Sequence, residues 1–294
     1  MIKIVVDTAS DLPKDLIEKY NLDYFTVCVI DEEKSEIVSD IGIKEFYDNQ
    51  RNNKVYKTSQ VSSIDFRNYF EEKAKNGEKV LYLAMSGGIS GTFNTSLAIL
   101  NEIKEKYPDC QIVTIDSKAC TMANGLIALK AAKLAQTIDD MDELVGHVNN
   151  MVKAIFHIFT VGDLEYLYRG GRVSRSQKAL GGVLGIRPIL GVTKEKGELY
   201  PVSKVRGKKK FCKAFIDQAK SMSNFIKDQP FILCHGDWEE VANETRDYMI
   251  ENENIDPKNI HIFNIGPVVG SHTGPEVLAL FYLEDENYTF DIDL

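Results

Sequence analysis

Two turns in the chain carry the residue types that hold small anions, namely hydroxyls and glycines set just before helices. The first is Ser86-Gly87-Gly88-Ile89-Ser90-Gly91-Thr92-Phe93, which follows the apolar run VLYLAM and precedes a helical stretch reaching Tyr107. Glycines at a strand-to-helix turn admit a ligand to the backbone amides, and the helix N-terminus adds positive potential. Ser86, Ser90 and Thr92 add hydroxyl donors. A plain glycine-rich turn with a capping serine accounts for the same residues equally well. The segment is neither a dinucleotide fingerprint nor a P-loop, because GxGxxG is absent and no lysine follows the last glycine. The second turn is Thr58-Ser59-Gln60-Val61-Ser62. Helix capping explains Ser62 but leaves Thr58 and Ser59 over. Neutral hydroxyls beside a helix end suit a carboxylate better than a triply charged phosphate, and the two turns converge if both lie at the C-terminal edge of one parallel sheet.

Two further segments have less decided chemistry. Between Asp163 and Leu190, Arg169, Arg172, Arg175 and Arg187 gather positive charge among apolar residues such as Leu180, Val183, Leu184 and Ile189, with Gly170-Gly171, Gly181-Gly182 and Gly185 breaking the run. A pocket for an amphiphile needs apolar surface beside cations, and a core helix with charged flanks has the same composition. In the stretch Ile265 to Pro275, Gly266, Gly270 and Gly274 with Pro267 and Pro275 predict a loop, and His272 is its one ionisable side chain. A lone histidine is commonly structural, yet its charge is the most easily tuned near neutral pH. No HExxH, GxSxG, EF-hand or kinase signature is present, nor a paired-carboxylate or metal-ligand cluster. No catalytic residue and no metal site is therefore assigned.

The elements that must position these residues follow from periodicity. Strands are predicted at Ile2–Val6, Phe25–Ile30, Val80–Met85 and Ile112–Ile115, alternating with helical patterns such as Ile127, Ala131, Leu134 and Ile138 on one face. That alternation is the βαβ signature of a parallel sheet covered by helices. Ser10 and Asp11 supply cap candidates before Pro13, and Ser62 or Ser63 caps the helix through Phe70 and Ala74. The second half is more mixed: strands at Ala154–Val161, Leu199–Val205, Phe231–Cys234, His261–Ile265, Leu278–Leu283 and Tyr288–Ile292, with helices at Lys208–Ser223 and Glu239–Glu251. These patterns predict an α/β protein of two domains, 1–150 and 151–294. At 294 residues the chain can bury a sizeable core, and its charge sum of 35 − 44 = −9 argues against a general nucleic-acid binder. No apolar run reaches the roughly 20 residues that cross a bilayer, so no stable membrane insertion is expected. The acidic turn at Asp7 interrupts any signal-peptide core, and a cytoplasmic location is expected. The five cysteines lack CxxC spacing, and Cys28 and Cys234 sit in apolar runs as inert thiols.

Taken in order, the segments resemble the DegV family: DTASDLP from Asp7, then TSQVS, SGGISGTF, DSKACTMANG, GGRVS, GIRPIL, KVRGKKK and IGPVVGSHTGP. The resemblance spans essentially the whole chain. It implies a two-domain α/β fold, an N-terminal parallel sheet with helices on both faces and a C-terminal mixed α/β domain, with a fatty-acid tunnel between them. It further implies a non-enzymatic carrier that presents the carboxylate of a long-chain fatty acid, such as palmitate, stearate or oleate, to the ATP-binding subunit of a fatty acid kinase. No other cofactor is implied. Carried over residue by residue, Thr58 and Ser90 hydrogen-bond the carboxylate, with Ser59 and Ser86 as nearby substitutes, and His272 stands near the head group. Arg172 matches the arginine implicated in acyl-phosphate formation, and Arg206 falls where the family contacts its kinase. Val61 stands where the family's TSQPS has proline, and Cys120 to Asn124 depart from the usual small residues, which bears on pocket shape. A stand-alone phosphate-binding transferase or kinase, or a lipid-bound regulatory adaptor, are the alternative readings.

Overall fold

The computed structural model describes every residue except 39, 179–185, 208, 209 and 291. Its first sheet is parallel, in the order β2-β1-β6-β7, built from Lys3–Asp7 (β1), Asp23–Phe25 (β2), Val80–Ala84 (β6) and Ile112–Asp116 (β7). Side chains alternate across a strand, so each β-branched run feeds two cores. Ile4, Val6, Leu81 and Leu83 face Lys14–Lys19 (α1) and Thr121–Leu134 (α5). Val5, Val80, Tyr82 and Ala84 face Ser63–Lys75 (α3) and Thr92–Lys106 (α4). Helices thus cover both faces, as the alternating pattern predicts. Ser62 caps α3, its Oγ accepting from the Asp65 amide at 3.1 Å. A small antiparallel sheet, β4-β3-β5, comprises Cys28–Asp31 (β3), Glu36–Val38 (β4) and Tyr56–Ser59 (β5), with Ile43–Arg51 (α2) between the last two strands.

The larger sheet has the order β10-β9-β8-β13-β11-β12, from Ile155–Thr160 (β8), Ile186–Val192 (β9), Leu199–Arg206 (β10), Phe231–His235 (β11), Ile260–Asn264 (β12) and Leu278–Leu283 (β13). All its neighbours are antiparallel except β11 and β12. One face, with Phe156, Ile158, Leu280 and Tyr282, packs on Phe211–Met222 (α9) and Glu239–Glu253 (α10). The other, with Ile155, Phe159, Ala279 and Phe281, shares a core with α5 and Met141–Ala154 (α6). Helix α5 therefore lies between the two sheets and is buried continuously from Thr121 to Ala132. Lys130 is the one basic residue within that span, and its Nζ donates to the Phe290 carbonyl and lies 4.1 Å from the centre of the Phe290 ring. The remaining helices are Glu165–Arg169 (α7), Arg175–Lys178 (α8) and Pro267–Thr273 (α11).

The structure departs from the sequence expectations at definite places. Phe25–Ile30 splits into β2 and β3 of different sheets, because the Val27 amide is taken by Thr8 Oγ1 at 2.9 Å. The glycine- and proline-rich loop is in fact α11: Pro267 suits a first helical turn, and Gly274 at φ 75° ends the helix. Ser10 and Asp11 do not cap α1. They belong to a 3-10 turn, with Asp11 left-handed at φ 53°, and Pro13 precedes the helix with no side-chain cap. The strand expected at Tyr288–Ile292 is replaced by a 3-10 turn at Glu286–Tyr288, capped by Asp285. Helix α5 ends at Leu134, short of Ile138, which still packs on the core. Gly181, Gly182, Gly185, Leu180, Val183 and Leu184 lie outside the described residues, as do Lys208 and Lys209. Cys234 is buried as expected, whereas Cys28 is only half-buried.

Because α5 is enclosed by both sheets, truncation there leaves a void that neither can fill. Ile127→Ala, at a fully buried position, is expected to cost about 2–5 kcal/mol in chemical denaturation. Ile64→Ala, at a position 66% exposed, is expected to cost less than about 0.5 kcal/mol.

Candidate functional site

Where the C-terminal ends of β6 and β7 approach the inner face of the large sheet, a cavity of about 280 Å³ remains. Val27, Met85 and Ile89 line it from one side, and Phe159, Ala279 and Phe281 from the other. Its volume falls just under the range of about 300–1,000 Å³ usual for small-molecule pockets, and its walls are mainly aliphatic and aromatic.

Four of the residues singled out from sequence line this cavity: Thr58, Ser90, Arg172 and His272. Thr58, in β5, and His272, in α11, are 214 positions apart in the chain, yet Thr58 Oγ1 lies 2.8 Å from His272 Nε2. Helix α11 is held there by α2: Tyr47 Oη donates to the Ile265 carbonyl at 2.7 Å, and Gln50 Nε2 to the Gly270 carbonyl at 3.0 Å. Burial, and then the nearby Arg172 charge, pushes the His272 imidazole down to about 4, so the ring is neutral near pH 7. His272 Nδ1 is buried without a partner among the described residues. With its proton on Nε2 the neutral imidazole donates to Thr58 Oγ1 and leaves the Thr58 hydroxyl hydrogen for an incoming oxygen, whereas a proton on Nδ1 is buried beside Gly170.

Arg172 is fixed through backbone rather than through an acid. Its Nε donates to the Ile89 carbonyl at 3.0 Å and its Nη1 to the Gly170 carbonyl. Among the described residues no carboxylate pairs with it, and burial lowers its pKa from the ordinary value. The guanidinium remains charged. Ser90 Oγ accepts from the Thr92 amide at 3.2 Å and shares a hydrogen bond with Thr92 Oγ1 at 3.0 Å.

The other named residues lie elsewhere. Ser86 is fully buried, donating to the Gly197 carbonyl at 2.9 Å and accepting from the Gly88 amide at 3.1 Å, and it secures the β9–β10 turn. Ser59, next along β5, points the opposite way from Thr58 and is exposed. Arg206 is exposed at the end of the edge strand β10. The basic run between Arg169 and Arg187 disperses: Arg169 stacks on Tyr166, and Arg187 pairs with Glu276 at 2.7 Å and lies over Trp238. The Gly87 amide donates to Asp116 Oδ1 at 3.0 Å, those of Gly88, Ile89 and Ser90 to Ser86 and that of Thr92 to Ser90, so five amides of the glycine-rich turn are spent within the protein. Among the described residues no cluster of His, Cys, Asp and Glu could hold a metal, and no helix is long and apolar enough to cross a membrane.

Sequence reasoning missed two cavity residues that carry unpartnered polar atoms. Thr121, where α5 begins, is 2% exposed with an unpartnered hydroxyl and a left-handed backbone at φ 53°, a costly conformation for a β-branched residue. His157, in β8, also lines the cavity with an unpartnered Nε2. Alternation along IFHIFT puts residues 155, 157 and 159 on one face, and a histidine there was a legible signal. Thr121 had no such local signal, although the departure at Cys120 to Asn124 marks the spot, and both Cys120 and Thr121 are on the cavity wall.

A parallel sheet and a larger mixed sheet enclosing an apolar cavity with a polar corner define an α/β protein built around an internal cavity. The chain belongs to the DegV family: the family model described as an uncharacterised protein of the DegV family matches residues 1–285. It is similar to a DegV domain-containing protein of Clostridium perfringens, 38% identical over 285 residues, covering 96% of this chain and 97% of that one. Among solved structures it is similar to a DegV lipid-binding protein of Thermotoga maritima, at 27% identity and TM-score 0.80 over 96% of this chain and 98% of that one. It is also similar to DegV of Bacillus subtilis, a fatty acid binding protein, at 26% identity and TM-score 0.78 over 97% and 99%. A DegV family protein of Thermus thermophilus, at 23% identity, shares the fold with a TM-score of 0.84 over 97% of this chain and 99% of that one.

Two measurements follow. A Cβ on Gly170 would stand 2.2 Å from His272 Nδ1, so Gly170→Ala is expected to displace the imidazole from Thr58 and perturb the His272 resonances in NMR. Buried groups also set opposing pH dependences. The depressed His272 stabilises the fold above its ordinary value of 6.5 and loses that contribution as pH falls toward about 4. Asp7, held by Tyr82, Met85 and Ala9 and raised by burial to about 6, contributes most below its ordinary value of 3.8 and loses that contribution as pH rises through 6. His272→Gln is therefore expected to make unfolding free energy fall less, or rise, on acidification between about pH 6.5 and 4, checked by denaturation at several pH values.

Proposed function

We propose that this protein carries a long-chain fatty acid in the cavity and presents the carboxylate to a separate ATP-binding fatty acid kinase subunit in the cytoplasm. One observation carries the reading. An apolar cavity ends in a neutral Thr58–His272 pair, the Ser90 hydroxyl and an Arg172 guanidinium with no carboxylate partner among the described residues. Such a corner supplies the neutral donors that a monoanionic head group needs when it leaves water, with one charge beside them for the more highly charged acyl phosphate. The tail supplies the affinity: burying about 15 methylenes at roughly 0.8 kcal/mol each gives around 12 kcal/mol before association costs. The fatty-acid- and lipid-binding relatives of Bacillus subtilis and Thermotoga maritima support the ligand class.

In this reading Thr58, Ser90 and His272 hold the carboxylate, Arg172 assists formation of the acyl phosphate, and Arg206 contacts the kinase. Catalysis belongs to the partner. The internal use of the Gly87 and Gly88 amides favours this reading over a stand-alone phosphate transferase. The division into residues 1–150 and 151–294 belongs to the same proposal, with the cavity between the two parts.

Native mass spectrometry of protein purified from a bacterial host is expected to show one fatty acid per chain. A protein that is empty and takes up neither labelled palmitate nor oleate would contradict the proposal. Ser90→Ala is expected to weaken retention roughly fivefold, as loss of one hydrogen bond of about 1 kcal/mol implies. Arg172→Ala is expected to keep lipid bound while losing most kinase-dependent turnover, and lost lipid with intact turnover would reverse its role.

A further inference from the structure

The cavity has a second polar position that a carboxylate at Thr58 leaves unused. His157 stands between Ile155 and Phe159 on the face of β8 turned toward α5. It is 7% exposed and lines the cavity beside Val192, Leu199 and Phe281. Its ring meets that of Phe281, its register partner on β13, edge-on with centres 5.7 Å apart. Its Nε2 is buried with no hydrogen-bond partner among the described residues. An unpaired buried nitrogen of this kind destabilises the fold, and a phenylalanine would complete the same aromatic wall without that cost.

The position is set back along β8 from the strand end that leads to the head-group corner. Strand β8 ends at Thr160, opposite Leu278, and from those two ends the chain leads to α7 and Arg172 on one side and back to α11 and His272 on the other. His157 is three residues before Thr160, about 10 Å along the strand at the usual rise. The imidazole thus faces the path of the acyl chain. Burial, and then the charge of Lys194, pushes it down to about 3, so the ring is neutral and offers one donor and one acceptor nitrogen. A neutral ring among Val192, Leu199 and Phe281 does not suit an anion. A hydroxyl matches it, because an O–H both donates and accepts and so satisfies whichever tautomer presents Nε2.

We propose that His157 recognises a hydroxyl group borne on the acyl chain, so that this protein selects hydroxylated fatty acids by the position of their oxygen. The proposal rests on the fatty-acid reading above and names a substrate class within it. Water entering from the surface depression beside Lys194 and Tyr200, which His157 also lines, is the competing partner for the ring. A ligand hydroxyl improves on that water only when it is held at the right carbon.

The test uses delipidated full-length protein and competition binding with stearic acid and a set of monohydroxystearic acids differing only in hydroxyl position. The expected result is one positional isomer bound about tenfold more tightly than its siblings, the ratio that one buried hydrogen bond of about 1.4 kcal/mol gives. The preference is expected to vanish in His157→Phe and to survive in part in His157→Gln. If every isomer binds the wild type more weakly than stearate with no position standing out, or if the preference is unchanged in His157→Phe, the proposal is overturned while fatty-acid binding stands. Should the variants fail to fold, the wild-type comparison alone decides. Failure of the wild type to bind stearate or any isomer overturns the fatty-acid reading itself.

Discussion

Helix α5 is the constraint on which the rest of the molecule depends. A surface helix needs one apolar stripe, but a helix pressed between two sheets must be compatible with burial on every side, and Met122, Ala123, Leu126 to Leu129, Ala131 and Ala132 meet that demand. Its partners are β1 and β6 on one side and β8, β11 and β13 on the other, so one element fixes the separation of the two sheets. Two sheets held apart by a helix cannot also meet where the helix begins. The cavity opens at that end, with Cys120 and Thr121 in its wall, and the strained Thr121 backbone sits where packing gives way to that cavity.

The polar corner follows from the same layout. Parallel strands end together, so the turns after β6 and β7 arrive at one edge, and α11, anchored by Tyr47 and Gln50, closes the opposite wall. Each polar group there is neutral or lacks an acidic partner. His272 is held neutral by burial, Thr58 is fixed by His272, and Arg172 is held by the Ile89 and Gly170 carbonyls. A guanidinium neutralised by an internal acid would have nothing to offer an anion. Position by backbone carbonyls leaves its charge available. Beneath the corner, Asp7 gathers Tyr82, the Met85 amide and the Ala9 amide, ordering the loop that carries Met85 to the cavity.

Much of this was legible from the chain alone, and the failures have physical causes. The β-branched runs expected at Ile2–Val6, Val80–Met85 and Ile112–Ile115, alternating with helical patterns, declared a parallel sheet covered by helices, because each strand must satisfy two cores. The series from DTASDLP to SHTGP declared the family. Three things stayed hidden. The break between β2 and β3 depends on a tertiary hydrogen bond from Val27 to Thr8, and propensity cannot see it. Glycine and proline in Ile265 to Pro275 suggested a loop, although their order, proline first and glycine last, is also that of a short helix. Thr58 and His272 meet through the tertiary placement of α11, which α2 helps to hold, and the hydroxyls that do not line the cavity, Ser59 and Ser86, differ from Thr58 and Ser90 in pointing direction and internal partners, not in type.

The central claim is that one fatty acid lies in the cavity with its carboxylate in the corner formed by Thr58, Ser90 and His272. The most direct measurement is a crystal structure of the lipid-loaded protein. The account requires continuous density between Phe159 and Phe281, ending in a carboxylate within hydrogen-bond distance of the Thr58 and Ser90 hydroxyls. A carboxylate at the His157 end, or a cavity with no ligand in protein shown by mass spectrometry to carry fatty acid, would contradict it.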